Sequence, residues 1–112
     1  MIYRITSIVD WESALSTGHF ASADLAKEGF IHCSAHHQIV RTANKYYRGH
    51  ANLLLLEIDD VALASSVKFE DLGTAEDRFP HVYGAIPLSA ISRNFKLVES
   101  TDGFALPDEL RV

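Results

Sequence analysis

The run Leu53-Leu54-Leu55-Leu56-Glu57-Ile58 constrains the fold more than any other feature of the sequence. It is the length of a strand. Its lack of apolar–polar alternation marks a strand covered on both faces. Such a strand needs a layer of structure above it and another below. The chain has 112 residues, the size of one ordinary hydrophobic core, so both layers are expected from a single domain, 1–112. Hydrophobic residues make up 47% of the chain, enough to cover the strand and to exclude global disorder.

The flanking segments supply candidates for those layers. Ile2–Thr6 alternates and carries β-formers, so it reads as a strand. Asp10 reads as the N-cap of a short helix carrying Trp11, Ala14 and Leu15, which Gly18 stops. Residues 22–28 predict one helical turn ended by Gly29, and 30–33 a short strand. Ser34 reads as the cap of the longest helix, from Ala35 to about Arg48, with Gly49 after it and Ile39, Ala43 and Tyr47 on its inner face. Residues 67–70, 82–86 and 93–99 read as further strands. The expected class is α+β: roughly five or six short strands, one main helix and small ones.

Charge narrows the function classes. Lys and Arg number 10 against 15 Asp and Glu, a net charge of −5, which disfavours RNA or DNA as a partner. Acids concentrate in 57–77 and bases in 41–48, and both read as solvated surface. One cysteine excludes an internal disulfide and a multi-Cys zinc site. No apolar stretch approaches about 18 residues, and the first ten residues lack a basic segment followed by an apolar one. A soluble, cytoplasmic protein with no membrane partner is expected.

Two segments carry candidate chemistry. In Gly29-Phe30-Ile31-His32-Cys33-Ser34 an extended backbone puts Phe30, His32 and Ser34 on one face and Ile31 and Cys33 on the other. His32 then stands beside a helix start, where free N–H groups suit an anion. The alternative is a structural histidine bonded to a carbonyl. Cys33 faces the core, so His32 cannot act as its base. In Phe79-Pro80-His81-Val82-Tyr83-Gly84, His81 and Tyr83 share a face suited to a base or sugar, and Gly84 permits close approach. A turn stiffened by Pro80 is the alternative. His36 and His37 point about 100° apart on a helix, so a His-based metal site with His32 and His81 is the minor alternative and no metal is expected. His37, Arg41, Lys45 and Arg48 form a stripe on one helix face, read as wet surface. Glu57 and Glu70 read as edge or surface carboxylates.

The opening strand IYRI, Trp11, the runs EGFIHCS, TANKYYRG, LLLLEID and FPHVYG, and Gln38 together resemble the bacterial Domain of Unknown Function 952 family. The resemblance implies a fold similar to the ADP-ribosylation fold of ADP-ribosyltransferases and RNA 2′-phosphotransferases, with two short, mostly antiparallel sheets forming a cleft. It implies NAD or ADP-ribose as cofactor, a nucleotide-bearing small molecule as partner, and ADP-ribosyl or phosphoryl transfer as activity. Ile2-Tyr3-Arg4-Ile5-Thr6 is similar to the phosphotransferase strand Leu-Tyr-His-Gly-Thr, which brings Tyr3, Arg4 and Thr6 to the site. Phe30-Ile31-His32-Cys33-Ser34 is similar to His-Ile-His-Leu-Ser, which brings His32 and Ser34. Arg4 and His32 are the expected catalytic residues. Ser34, His81, Tyr83, Tyr3 and Thr6 are the expected ligand contacts. A non-catalytic small-ligand or protein-interaction module is the other expectation.

Overall fold

The structure, a computed structural model, describes residues 1–71 and 77–111. In chain order these are β1 (Ile2–Ser7), α1 (Ile8–Thr17), β2 (His19–Phe20), α2 (Ala23–Glu28), β3 (Ile31–His32), α3 (Ile39–Tyr46), β4 (Leu53–Ile58), β5 (Val67–Glu70), β6 (Phe79–Val82), β7 (Ile86–Pro87), β8 (Ile91–Leu97), β9 (Glu99–Ser100) and β10 (Gly103–Phe104), with short 3-10 turns between them. It is a small mixed fold of helices and antiparallel sheets. One sheet has the order β1-β4-β8 and a second has β3-β6-β5, while β2-β7 and β9-β10 are two-stranded ribbons. Tyr3 and Ser34 exchange both backbone hydrogen bonds and so join the edge of the first sheet to the end of β3.

All six residues of β4 are buried, because the strand is central in its sheet and covered on both faces. Leu56 and Ile58 enter one core with Ile2, Phe20, Ile31, Cys33, Val82 and Ile86, under α1 and the second sheet. Leu53 and Leu55 enter the other with Tyr3, Ile5, Ile39, Ala43, Phe95 and Phe104, under α3 and the C-terminal segment. Glu57 is 4% exposed, so it is not a surface carboxylate. The register explains why: Tyr3, Glu57 and Arg93 are direct neighbours across β1, β4 and β8. Arg93 donates to both Glu57 oxygens at 2.8 and 3.0 Å, and the Tyr3 hydroxyl donates at 3.1 Å. The Arg93 hydrogen bonds outweigh burial and hold Glu57 below the usual carboxylate range. Burial, with Glu57 beside it, pushes the Tyr3 phenol up to about 12.

Several boundaries differ from those the sequence predicts. Ser7, not Asp10, caps α1: β1 runs on to Ser7, whose hydroxyl accepts from the Asp10 N–H. Ser34 caps no helix, because its backbone is committed to Tyr3. Residues 36–38 form a 3-10 turn, and the Gln38 side chain accepts from the Ala35 N–H. α3 is therefore only Ile39–Tyr46, eight residues against the ten of α1, so it is not the longest helix, and the anion-binding helix start expected next to His32 is absent. β6 begins at Phe79 rather than 82: the Pro80 carbonyl accepts from the Cys33 N–H, and the strand tolerates the missing donor. Tyr83 thus lies beyond the strand. β8 spans Ile91–Leu97, and Glu99 belongs to β9.

Gly103 holds the C-terminal ribbon against α3. Its φ is +102°, and a Cβ there would come within 2.5 Å of the Asn44 Oδ1, which accepts from the Phe104 N–H. Gly103→Ala is expected to lower stability by about 1–3 kcal/mol through backbone strain and loss of that hydrogen bond. A denaturant titration checks it, and an unchanged midpoint would contradict this account of the ribbon. No helix among the described residues is long and apolar enough to cross a membrane.

Candidate functional site

A cleft of about 390 Å³ opens where the two sheets meet. Tyr3, Arg4 and Ile5 of β1 and His32, Cys33 and Ser34 from the β3 segment line its inner part with Asp24; Thr42, Tyr46, Tyr47 and Phe79 complete it. Of the residues expected at the site, Tyr3, Arg4, His32 and Ser34 line this cleft. Thr6, His81 and Tyr83 do not. Thr6 is buried in β1, and its hydroxyl reaches only the Ser7 carbonyl, at 3.4 Å.

Asp24 is the hub of the cleft. Its Oδ2 accepts from Arg4 Nη1 at 2.7 Å, from the His32 backbone N–H at 2.8 Å and from His32 Nδ1 at 3.0 Å. The Ser22 hydroxyl donates to Oδ1. Arg4 Nη1 also donates to the His32 carbonyl at 2.9 Å. One carboxylate therefore ties together α2, β1 and β3. Burial alone would raise its pKa. The His32 N–H, the Ser22 hydroxyl, the Arg4 charge and the His32 ring outweigh that and hold it far below the usual carboxylate range. Accepting from Nδ1 fixes the imidazole orientation and leaves Nε2 as the nitrogen available to a ligand. Among the described residues nothing hydrogen-bonds that Nε2.

A second carboxylate orients the neighbouring histidine. His81 lies directly across the ladder from His32, and its Nδ1 donates to Glu70 Oε1 at 2.9 Å. The Tyr83 hydroxyl donates to the same oxygen at 2.6 Å. These two donors hold Glu70 below its ordinary range. Phe30 gathers the rings: it stacks on His81 at 4.2 Å between centroids and packs against His32 at 4.8 Å and Tyr83 at 5.3 Å. His32, His81 and Tyr83 thus lie together around Phe30, but not around one common pocket. His81, however, is 2% exposed, sealed under Phe30 rather than open to a ligand, and its Nε2 is buried without a partner. Tyr83 is exposed and is not among the residues that line the cleft.

The remaining candidates are absorbed structurally. His36 Nε2 donates to the Leu110 carbonyl at 2.8 Å, and His37 pairs with Asp77 at 3.2 Å. The described residues contain no group of three or more His, Cys, Asp or Glu placed to hold a metal ion. Burial pushes the Cys33 thiol up to about 12, so it stays protonated and a poor nucleophile at neutral pH. Native protein is expected to react with iodoacetamide at least tenfold slower than unfolded protein, and Cys33→Ser to lose about 1–3 kcal/mol of stability while binding ligand within a few-fold of the parent. Rapid alkylation of folded protein would contradict this placement.

Arg4 and His32, expected at the site, line the cleft, whereas Asp24 and Phe30 are not among the expected residues. Asp24 sits in the Ser22–Glu28 turn, where a carboxylate near a helix start reads as surface charge. Its partners lie 20 and 8 residues away on two other elements. The only local hint is the Ser-x-Asp spacing that lets Ser22 bond it.

The family model described as "Protein of unknown function (DUF952)" matches residues 5–94. The crystal structure of protein CC0527 from Caulobacter crescentus is similar at 39% identity, with a TM-score of 0.88 over 97% of this chain and 96% of that one. The solution NMR structure of the same protein gives 38% identity and a TM-score of 0.79 over 92% of this chain and 89% of that one. No curated protein matches the chain significantly.

Proposed function

This chain belongs to the DUF952 family of proteins of unknown function, so its chemistry is read from its own cleft, and we propose that the cleft binds a nucleotide-bearing small molecule of the NAD or ADP-ribose class. The observation that carries the reading is the Arg4–Asp24–His32 unit at the floor of a partly open, aromatic-walled cleft. Such clefts, mostly apolar with a few converging polar groups, are the usual form of a small-ligand site. Tyr46, Tyr47 and Phe79 offer faces on which a planar base or nicotinamide ring stacks. Ser34 and His32 Nε2 offer polar atoms to a ribose. The expected likeness to the ADP-ribosylation fold, and a cytoplasmic setting, belong to the same proposal.

As an enzyme it would be a transferase, moving an ADP-ribosyl or phosphoryl group. His32, held by Asp24, would take or give the proton at Nε2, and Arg4 would steady the carboxylate that orients it. The second reading, a binding module without catalysis, is favoured by one observation. Asp24 is the sole carboxylate among the described cleft residues, and its hydrogen bonds are already spent on Arg4, His32 and Ser22.

Thermal-shift and calorimetric titrations with NAD, ADP-ribose and mononucleotides test the proposal. Stabilisation by at least one of them, lost in His32→Ala, is expected; no response to any at millimolar concentration overturns it. Chromatographic detection of nicotinamide release from NAD, or of phosphate transfer, then separates transferase from module.

A further inference from the structure

We infer that the anionic end of the ligand is held at the mouth of the cleft by Lys45 and Arg41, and not on its floor by Arg4. This rests on the nucleotide reading of the cleft and gives the ligand a polarity: ring and sugar inward, phosphate outward.

The floor is poorly suited to a phosphate. Among the described lining residues Arg4 is the only Lys or Arg; its Nη1 is committed to Asp24 and to the His32 carbonyl, and its Nε, which has no partner, is buried where a ligand does not reach it. Its side chain is 14% exposed, as is that of Asp24. Asp24 remains ionised, so an incoming phosphate there would meet a carboxylate whose charge Arg4 already balances. A second anion gains little from a neutralised pair and must also be desolvated.

The mouth differs. Phe79 and Tyr46 belong to the cleft wall, and each carries a cation against its ring: the Arg41 guanidinium 5.8 Å from the Phe79 centroid and the Lys45 ammonium 5.3 Å from the Tyr46 centroid. Arg41 and Lys45 are four residues apart on α3 and share one face. Both are exposed. Arg41 is paired with Asp77 at 3.0 Å, as Arg4 is with Asp24, but its side chain is 57% exposed rather than 14%, so an anion reaches it without the desolvation the floor imposes. Lys45 has no carboxylate within ion-pair distance among the described residues. In a chain of net charge −5 this is a local cationic rim beside an aromatic-walled opening.

The same contacts set the size of the anion. Of the four-residue stripe, His37 and Arg41 share Asp77, and Arg48 is spent on Glu99. No continuous track of free cations remains for a polynucleotide backbone. The rim fits one phosphate, or the pyrophosphate of a small nucleotide.

Calorimetry on the folded chain with two probe pairs, adenosine with AMP and cytidine with CMP, tests this. In at least one pair the nucleotide is expected to bind tenfold or more tightly than its nucleoside at 50 mM salt, with the gap narrowing at 300 mM. In Lys45→Gln/Arg41→Gln, with melting temperature checked, the gap is expected to fall below threefold while nucleoside affinity holds. Equal binding of nucleoside and nucleotide, or a gap that survives the double substitution, overturns the rim assignment and leaves the cleft reading standing. No binding by any of the four, nor by NAD or ADP-ribose, overturns both.

Discussion

Asp24→Asn is expected to lower the melting temperature by roughly 10 °C and to weaken ligand binding at least tenfold. Asn keeps the shape and one acceptor oxygen but removes the charge. Arg4 and Asp24 form a short, largely buried pair, with both side chains 14% exposed. Removing one member of such a pair strands the other, at a cost of about 2–4 kcal/mol once partial exposure is allowed for. A domain of this size loses about 4 °C per kcal/mol. The effect on binding arises because His32 loses the acceptor that fixes its ring. Thermal melts and calorimetry on the one variant check both, and a melting temperature within 2 °C of the parent would remove Asp24 from its central place.

The same substitution carries a pH signature. The folded-state pKa of Asp24 is depressed, so its contribution to stability is fully present above the unfolded-state value, about 4. It is lost as pH falls from there toward the folded-state value. The stability difference between parent and Asp24→Asn is therefore expected to shrink as pH falls below about 4. A difference that grows as pH falls below that value would contradict the sign of this linkage.

How far the site could be read in advance follows from where its information lies. The β4 run announced a doubly covered strand because four consecutive leucines followed by Glu57 and Ile58 admit few other uses. Ile31, Cys33 and Val82 fell into the core by alternation alone. The end of the main helix and its inner face were legible from Gly49, Ile39 and Ala43. Its start was not. Ser34 has the chemistry of a cap, but a long-range bridge to Tyr3 claims its backbone, and Gln38 serves Ala35 instead. Glu57 misled for the same reason, since a carboxylate in an apolar strand is buried only if the register brings Arg93 beside it. Alternation puts His81 on the correct face, but nothing local says that Phe30 lies over it and closes it to a ligand. Each miss is a case where a contact tens of residues away in sequence, or the packing of a neighbouring strand, overrode a local preference.

The two histidines, adjacent across one ladder, separate a ligand contact from a structural residue. His32 lines the cleft with its side chain 35% exposed, whereas His81 is sealed. His32→Ala is expected to weaken binding of NAD, ADP-ribose or a mononucleotide by about 1–3 kcal/mol, roughly 5- to 150-fold, the scale of one lost hydrogen bond to a polar or charged group. Its melting temperature is expected to fall by only a few degrees, since Asp24 keeps Arg4, the His32 backbone N–H and Ser22. His81→Ala should do the reverse. It empties a space under Phe30 and leaves Glu70 with Tyr83 alone, at a cost on the order of 2–3 kcal/mol of stability. Its effect on affinity is expected to stay within about threefold while the protein is folded, the range left when no contact to the ligand is removed. Calorimetry and denaturant titration on both variants decide the matter. If His32→Ala destabilises the chain as much as His81→Ala and no ligand distinguishes them, His32 is a structural residue and the cleft loses its one free imidazole nitrogen.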